Sequence, residues 1–306
     1  MSKNKMKKLN YHYLRTELFG KSTVTFFGVF LITLTLCMVF FIASKGLSTF
    51  FKDKLSPIDF LFSSAWKPDR PPENGGPAIG ASIFIVGSIS VSVLALIIST
   101  PFSVAISVFM SEISPKLGKK LLQPVIEIFV GIPSVVYGWI GLSLLVPFIR
   151  NSFGGLGFSL LAGGLVLSIM VFPTIASVSA DALRALPDDY KEASYALGAT
   201  RWQTIRKVLI PSALPGILTG VVLGLARAFG EALAVQMVIG NSLRFPNSIL
   251  DSTTNLTSQI TMHMGNSVTG SLENDALWSL ALLLLIISFL FIIIIHKIGV
   301  KGSIIK

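Results

Sequence analysis

The chain has 306 residues, of which 52% are hydrophobic and only 13% are charged, and its formal net charge is +10. Soluble domains carry about 25% charged residues, so this composition, with a mean hydropathy of +0.75, excludes an ordinary soluble protein and indicates one embedded in a bilayer. The positive charge is explained by basic residues that flank membrane spans and face anionic headgroups, and nucleic-acid binding is not predicted.

Six apolar segments are long enough to cross a bilayer as helices. A spanning helix needs about 20 mostly apolar residues, because backbone groups find no water in the hydrocarbon. The segments are predicted near residues 24–43, 79–100, 121–148, 159–180, 212–239 and 276–295. Pro101, Pro133 and Pro173 are expected to break three of them. The predicted fold class is therefore an all-α membrane protein with six transmembrane helices.

Polar segments connect these spans and extend beyond both ends. They are a basic N-terminal tail (1–23), two outside loops (about 45–78 and 240–275), a charged loop (about 181–211) and a C-terminal tail (301–306), around a membrane domain of residues 24–300. With the N-terminus inside, the inside segments hold seventeen Lys and Arg residues and the outside loops hold seven. The positive-inside rule therefore predicts a multi-pass protein of the cell membrane, with both termini and the 181–211 loop in the cytoplasm.

No catalytic, cofactor-binding or metal-binding group is predicted. The histidines His12, His263 and His296 lie in different regions and suggest no shared metal site. The single cysteine, Cys37, lies inside the first span and excludes an internal disulfide or a cysteine-based metal site.

Small residues recur at spacings that favour close helix packing. In the second span they are Ala81, Ser88, Ser92, Ala95 and Ser99, and in the fifth span they are Gly216, Gly220, Gly224 and Ala228. Small side chains let helix backbones approach each other where lipid offers no hydrophobic drive for association. Both stripes are therefore expected to pack against neighbouring spans.

The fifth span contains two charged residues, Arg227 and Glu231. Residues four apart lie on the same face of a helix, and charges in hydrocarbon are costly unless they pair or face a water-filled cavity. Two roles stay open: a structural ion pair, or a translocation pathway in which the planar guanidinium of Arg227 meets an oxyanion. We favour the pathway.

The charged loop has the features of a short helix followed by a tight turn. Pro187, Asp188 and Asp189 favour a helix start, because proline suits the first turn and acidic residues there complement the helix dipole. Gly198 permits a turn that a larger residue would strain. From these features alone the loop would be an amphipathic helix at the membrane interface.

The spacing of the loop resembles the EAA loop of ABC-importer permeases, in which a Glu-Ala-Ala triplet, a glycine and a later Ile-x-Leu-Pro form the short helix that seats on a cytosolic ATPase. The corresponding positions are Glu192, Ala193, Ser194, Gly198, Ile210 and Pro211. Ser194, Val208 and Ile210 depart from the pattern, but each keeps roughly the expected size. The resemblance implies that these residues couple the chain to an ATPase.

The resemblance extends over most of residues 20–300. Residues 127–138, 224–231 and 239–241, Trp66-Lys-Pro68 in the first outside loop, and residues 245–251 and 254–260 in the last loop are similar to the C-type permease (PstC) of phosphate ABC importers. The chain is identified as a member of that family, with a type I ABC importer permease fold and a cytosolic coupling helix. This implies a noncatalytic subunit, without a cofactor, that imports inorganic phosphate.

The implied partners are a second homologous permease subunit that completes a heterodimeric pore, an ABC ATPase dimer and an external phosphate-binding protein. Two alternatives stay open: a permease for another oxyanion, such as sulfate or molybdate, and a stand-alone secondary transporter. A secondary transporter would need no ATPase dock, so the 181–211 loop argues against it.

Overall fold

The computed structural model describes residues 3–71, 73 and 75–304. Within this part of the chain, six helical stretches are long and apolar enough to cross a membrane, as the sequence predicts. We call them spans 1 to 6: Phe19–Phe51, Ser82–Ile113, Ser134–Phe153, Leu160–Arg184, Arg201–Gly230 and Leu272–Ile295.

The spans are built from helices, and short helices also lie in the connections between them. In chain order these are α1 (Lys3–Gly46), α2 (Ser48–Phe51), α3 (Pro57–Phe62), α4 (Ser82–Val108), α5 (Pro115–Leu117), α6 (Gln123–Gly131), α7 (Ser134–Ile140), α8 (Val146–Phe153), α9 (Leu160–Arg184), α10 (Asp189–Ala196), α11 (Arg201–Thr204), α12 (Ile210–Gly230), α13 (Leu233–Ile239), α14 (Leu256–His263) and α15 (Leu272–Ile304). Single π-helical turns at Phe109–Ile113, Gly118–Leu122, Gly141–Leu145 and Ile205–Leu209 extend or join them. An antiparallel hairpin of β1 (Trp66–Lys67) and β2 (Ala78–Ile79) lies in the loop between spans 1 and 2.

Spans 2 and 4 are the most buried of the six, and they run in parallel. Ser103 Oγ donates to Phe172 O at 3.1 Å, and Ser107 Oγ donates to Ala176 O at 2.8 Å. From the first bond to the second, the donor and the acceptor each move four residues toward the C-terminus, so the two helices run in the same direction. The small residues predicted to pack in span 2 are all buried: Ala81, Ser88, Ser92, Ala95 and Ser99. The packing role of this stripe is confirmed.

The glycine stripe of span 5 faces span 4. A methyl group added at Gly224 would lie 2.7 Å from Ile175 Cγ1, and one added at Gly220 would lie 3.2 Å from Ile175 O. A methyl group at Gly216 would overlap Cβ of Ala182. Larger residues would separate the two helices, so the predicted close approach through glycine is also confirmed.

The three prolines have different effects. Pro101 and Pro173 lie inside the continuous helices α4 and α9, so the breaks expected there are wrong. Spans 2 and 4 pack along each other, and this packing outweighs the one backbone hydrogen bond that each proline removes. Pro133 does interrupt the helix: it and Ile132 are extended between α6 and α7. The third membrane-length helix therefore covers Ser134–Phe153 rather than 121–148.

The fifth span differs from the predicted 212–239 at both ends. It begins earlier, at Arg201, and α12 stops at Gly230. Glu231 is extended, and residues Leu233–Ile239 form the separate helix α13. A glycine followed by an extended residue ends the helix where hydrophobicity alone indicated continuation.

The loop between spans 5 and 6 folds back into the bundle. Leu256 N donates to Ser88 Oγ at 2.9 Å, and Thr257 Oγ1 donates to Glu231 O at 2.9 Å. A side chain at Gly87 would overlap the backbone of this loop. The polar side chains of residues 253–259 are therefore buried within the chain rather than free for a partner.

Span 1 packs against the bundle only near its C-terminal end. The Phe41 and Trp278 rings meet edge to face, with centroids 5.3 Å apart. Ser279 Oγ donates to Gly46 O at 2.6 Å. In the most apolar 18-residue stretch of this span, no residue is buried within the chain. Its large apolar side chains therefore face away from the bundle.

Candidate functional site

The charged loop folds as a short helix, a glycine turn and a second short helix. Helix α10 begins at Asp189, directly after Pro187 and Asp188, and Asp189 and Glu192 lie in its first turn. Gly198 has a φ of +79°, a left-handed conformation that costs an ordinary residue roughly 1–2 kcal/mol. The predicted helix start and glycine turn are both confirmed.

The two arms of this turn are fixed to each other. Ser194 Oγ and Thr204 Oγ1 lie 2.9 Å apart, and both side chains are buried. Thr200 begins α11 with a capping box, because its hydroxyl accepts from Gln203 N and the Gln203 side chain accepts from Thr200 N. Ser194 is therefore an internal link between the arms and does not face outward.

The charged loop carries four exposed large apolar side chains. We call Tyr190, Tyr195, Leu197 and Trp202 the apolar dock face. Leu197 at its tip is 89% exposed, and Glu192 and Ala193 are exposed beside it. Exposed apolar patches of this kind mark interaction sites. The coupling residues predicted from the sequence include Ala193 but none of the three aromatic residues, although aromatic side chains in so charged a loop were the available signal.

The remaining predicted coupling residues, Ile210 and Pro211, lie elsewhere. They begin α12 and are half-buried. The structure thus brings Glu192, Ala193, Ser194 and Gly198 together at the turn, and it places Ile210 and Pro211 within span 5, at the start of α12.

The turn is held against the C-terminal end of span 2. Lys191 Nζ lies 3.1 Å from Glu112 Oε1. The Arg201 guanidinium donates to the backbone carbonyls of Glu112 and Ile113, the second at 3.0 Å. Glu112 could not be recognised from sequence spacing, because its partners follow some 80 to 90 residues later in the chain.

The intramembrane charges Arg227 and Glu231 do not form an ion pair. Arg227 is in the last turn of α12, whereas Glu231 follows the helix end with φ −78° and ψ 123°. No nitrogen–oxygen contact within 4.0 Å joins these two described residues. Glu231 Oε1 instead accepts from Ala234 N at 3.1 Å and so caps α13. The expectation that both share one helix face is wrong, because the helix ends at Gly230.

Arg227 lies where span 5 meets span 4. Its Nη1 donates to Thr174 Oγ1 on span 4 across a long 3.4 Å bond. The other guanidinium N–H groups have no hydrogen-bond partner among the described residues. The side chain therefore retains donors that an anion could use.

An ionisable cluster joins the end of span 1 to the start of span 6. Lys52 Nζ lies 2.8 Å from Asp275 Oδ2, and this hydrogen bond raises the pKa of Lys52. Burial raises the pKa of Asp53, and the neighbouring negative charge of Asp275 raises it further. In the part of the chain that the structure describes, no group of three or more His, Cys, Asp or Glu side chains is placed to hold a metal ion.

Comparison with known families gives one decisive match. Residues 103–299 match the family described as "Binding-protein-dependent transport system inner membrane component". The chain belongs to this family. Its members are permease subunits of ABC importers, and the ATPase is carried by separate subunits. The chain is therefore a multi-pass membrane permease of an ABC importer.

Individual relatives support the same assignment along nearly the whole chain. A "Probable ABC transporter permease protein YqgH" of Bacillus subtilis is 51% identical over 289 residues, covering 94% of this chain and 92% of the relative. The "Phosphate transport system permease protein PstC" of Pasteurella multocida is 34% identical over 304 residues, covering 92% and 90%. The predicted resemblance to the PstC family is confirmed.

Solved structures confirm the type I importer fold. A bacterial alginate ABC transporter in complex with an alginate-bound periplasmic protein gives a TM-score of 0.59 at 15% identity, covering 91% of this chain and 95% of that one. The inward-facing MetNI methionine ABC transporter gives 0.53 at 24% identity, covering 73% and 94%. At these identities the likeness concerns the fold alone.

Proposed function

We propose that the chain is one of two membrane subunits of an ATP-driven importer of inorganic phosphate. The observation that carries this proposal is the similarity to several permeases named for phosphate transport, at 32–34% identity. Arg227 supports it, because a guanidinium with unused donors suits a tetrahedral oxyanion. Arg227 and Glu231 would line the pathway, with Arg227 meeting the anion at the point where the helix of span 5 ends.

The apolar dock face would seat on an ABC ATPase dimer in the cytoplasm. Aromatic side chains are the commonest anchors of protein interfaces, and the face carries three. Glu192 and Ala193 would lie at the edge of this contact, and Gly198 would let the turn enter a cleft. Closure of the ATPases on ATP would then push on the turn and switch the pore between inward-facing and outward-facing forms.

The pore requires a second half, which we propose is a homologous permease subunit. An external phosphate-binding protein would deliver the anion on the opposite side of the membrane. The distribution of Lys and Arg supports an orientation with both termini and the dock face in the cytoplasm.

The test is transport by the assembled complex. The chain would be purified in mild detergent, its associated subunits identified, and the complex reconstituted in vesicles with the binding protein. We expect ATP-dependent uptake of radiolabelled phosphate. Excess unlabelled phosphate should suppress this uptake, and sulfate or molybdate at the same concentration should leave it unchanged. Preferential uptake of sulfate or molybdate would refute phosphate as the substrate, and uptake without any ATPase subunit would refute an ATP-driven importer.

A further inference from the structure

The loop that carries the apolar dock face connects span 4 to span 5 through the backbone, but it has no direct backbone connection to span 2. We propose that Glu112 is the anchor through which the dock moves span 2, and that Lys191 and Arg201 are the positioning residues that grip it. This rests on the proposed seating of the apolar dock face on an ATPase.

The Lys191–Glu112 pair has the geometry of a specific contact. The two charged atoms lie 3.1 Å apart, and their side chains are only 27% and 9% exposed. Lys191 also approaches Asp188, but at 3.6 Å and with an Asp188 side chain that is 83% exposed. Water and salt screen an exposed pair much more than a buried one. Glu112 is therefore the main partner of this lysine.

Arg201 grips the same point from the other arm of the turn. The last carbonyls of a helix lack backbone partners and form its negative end, so a cation placed there is favourable. Arg201 donates to two such carbonyls, those of Glu112 and Ile113. The Ser194–Thr204 contact ties the two arms together. Displacement of the turn would therefore pull on Glu112 from both sides at once.

A contiguous set of contacts leads from this anchor to the proposed pathway. Span 2 is bonded to span 4 through Ser103 and Ser107. Thr174, which contacts Arg227, lies between their two acceptor residues on span 4. Coupling between distant sites can be carried by packed helices and hydrogen bonds of this kind, provided that it is demonstrated by perturbation. The anchor thus predicts that span 2 and Arg227 respond to the dock together.

The test uses the complete transporter, reconstituted in vesicles with its partner subunits and the binding protein. Glu112→Gln and Lys191→Met remove the charges and keep the approximate side-chain length. Both are expected to assemble and to lower the phosphate transported per ATP hydrolysed by about tenfold. Asp188→Asn is the matched control, because it removes the exposed partner of the same lysine, and Lys191→Arg keeps the ion pair. Both should remain within about twofold of the unaltered ratio.

The double variant Glu112→Gln/Lys191→Met separates transmission from simple structural support, because it leaves no buried charge unpaired. If the pair transmits motion, the double variant keeps the low ratio. Recovery of the unaltered ratio would overturn the proposal, even if the single variants fail to assemble. If Glu112→Gln couples normally while Gly198→Asp does not, the dock stands and the anchor is refuted. Normal coupling by both would refute the docking role itself.

Discussion

Replacement of Gly198 by aspartate tests the docking role of the turn most directly. The structure allows the effect on the backbone to be separated from the effect of the added charge. The φ of +79° is unfavourable for any residue with a Cβ, although asparagine and aspartate tolerate it best. No atom lies within 4 Å of a Cβ added at this position, so a side chain would meet no obstacle within the chain. The backbone cost of asparagine or aspartate here should be at most about 1 kcal/mol.

The charge is the larger effect. Residue 198 adjoins the exposed Leu197, so docking of this tip would remove an introduced carboxylate from water. The penalty for burying an unpaired ion is several kcal/mol, and about 3 kcal/mol corresponds to roughly 100-fold in association. Gly198→Asn has nearly the same shape without the charge. We expect it to retain coupling within about fivefold, and we expect Gly198→Asp to lose it.

Two measurements decide this. Co-purification of the ATPase with each variant reports association, and phosphate uptake in vesicles at matched protein levels reports coupling. Equal losses in Gly198→Asn and Gly198→Asp would mean that the backbone turn alone is essential. Unaltered association and uptake in Gly198→Asp would show that this turn does not enter the ATPase.

Further predictions concern the pathway, the outer cluster and the orientation. Arg227→Gln should abolish phosphate uptake but not assembly. The double variant Arg227→Gln/Glu231→Gln should also assemble, because an amide oxygen can still cap α13, and it should also fail to take up phosphate. Near-normal uptake by the double variant would remove both residues from the pathway. Burial raises the pKa of Asp53 in the folded chain. Asp53 therefore stabilises the fold most at pH values below its pKa in the unfolded chain, and this stabilisation is lost as the pH rises through its pKa in the folded chain. Asp53→Asn should therefore remove part of any gain in detergent thermal stability between pH 7 and pH 4, and an unchanged pH profile would count against this. In a cysteine-free background, an impermeant thiol reagent added to intact cells should label cysteine at position Ser64 and not at Ala193; the reverse pattern would invert the topology.

The spans were predictable from sequence because each depends on local hydrophobicity. Their ends were not, because tertiary contacts decide whether a break is tolerated. Pro101 and Pro173 have the same local chemistry as Pro133, yet only Pro133 interrupts a helix. The difference lies in the packing of spans 2 and 4 against each other, which no single segment reveals.

The site was predictable where its residues are close in sequence. The helix start before Asp189 and the turn at Gly198 follow from local backbone preferences. Family spacing singled out Ser194 but could not show that it faces inward to Thr204. The contacts of Glu112 could not be predicted, because they join segments that are distant in the sequence.

The loop between spans 5 and 6 is made late in synthesis, so the packing of span 2 is completed late. Ser88 Oγ receives its contact from Leu256 N, which lies 168 residues later in the chain. At about 5–20 residues per second, the ribosome needs roughly 10–30 s to supply that residue. Until then the space beside Gly87, which the backbone of Thr254 fills in the folded chain, stays open. A chaperone or translocation channel that shields inserted helices would therefore have to cover this face of span 2 until the loop is made, and a nascent chain that ends before residue 253 would lack the segment that packs on Ser88.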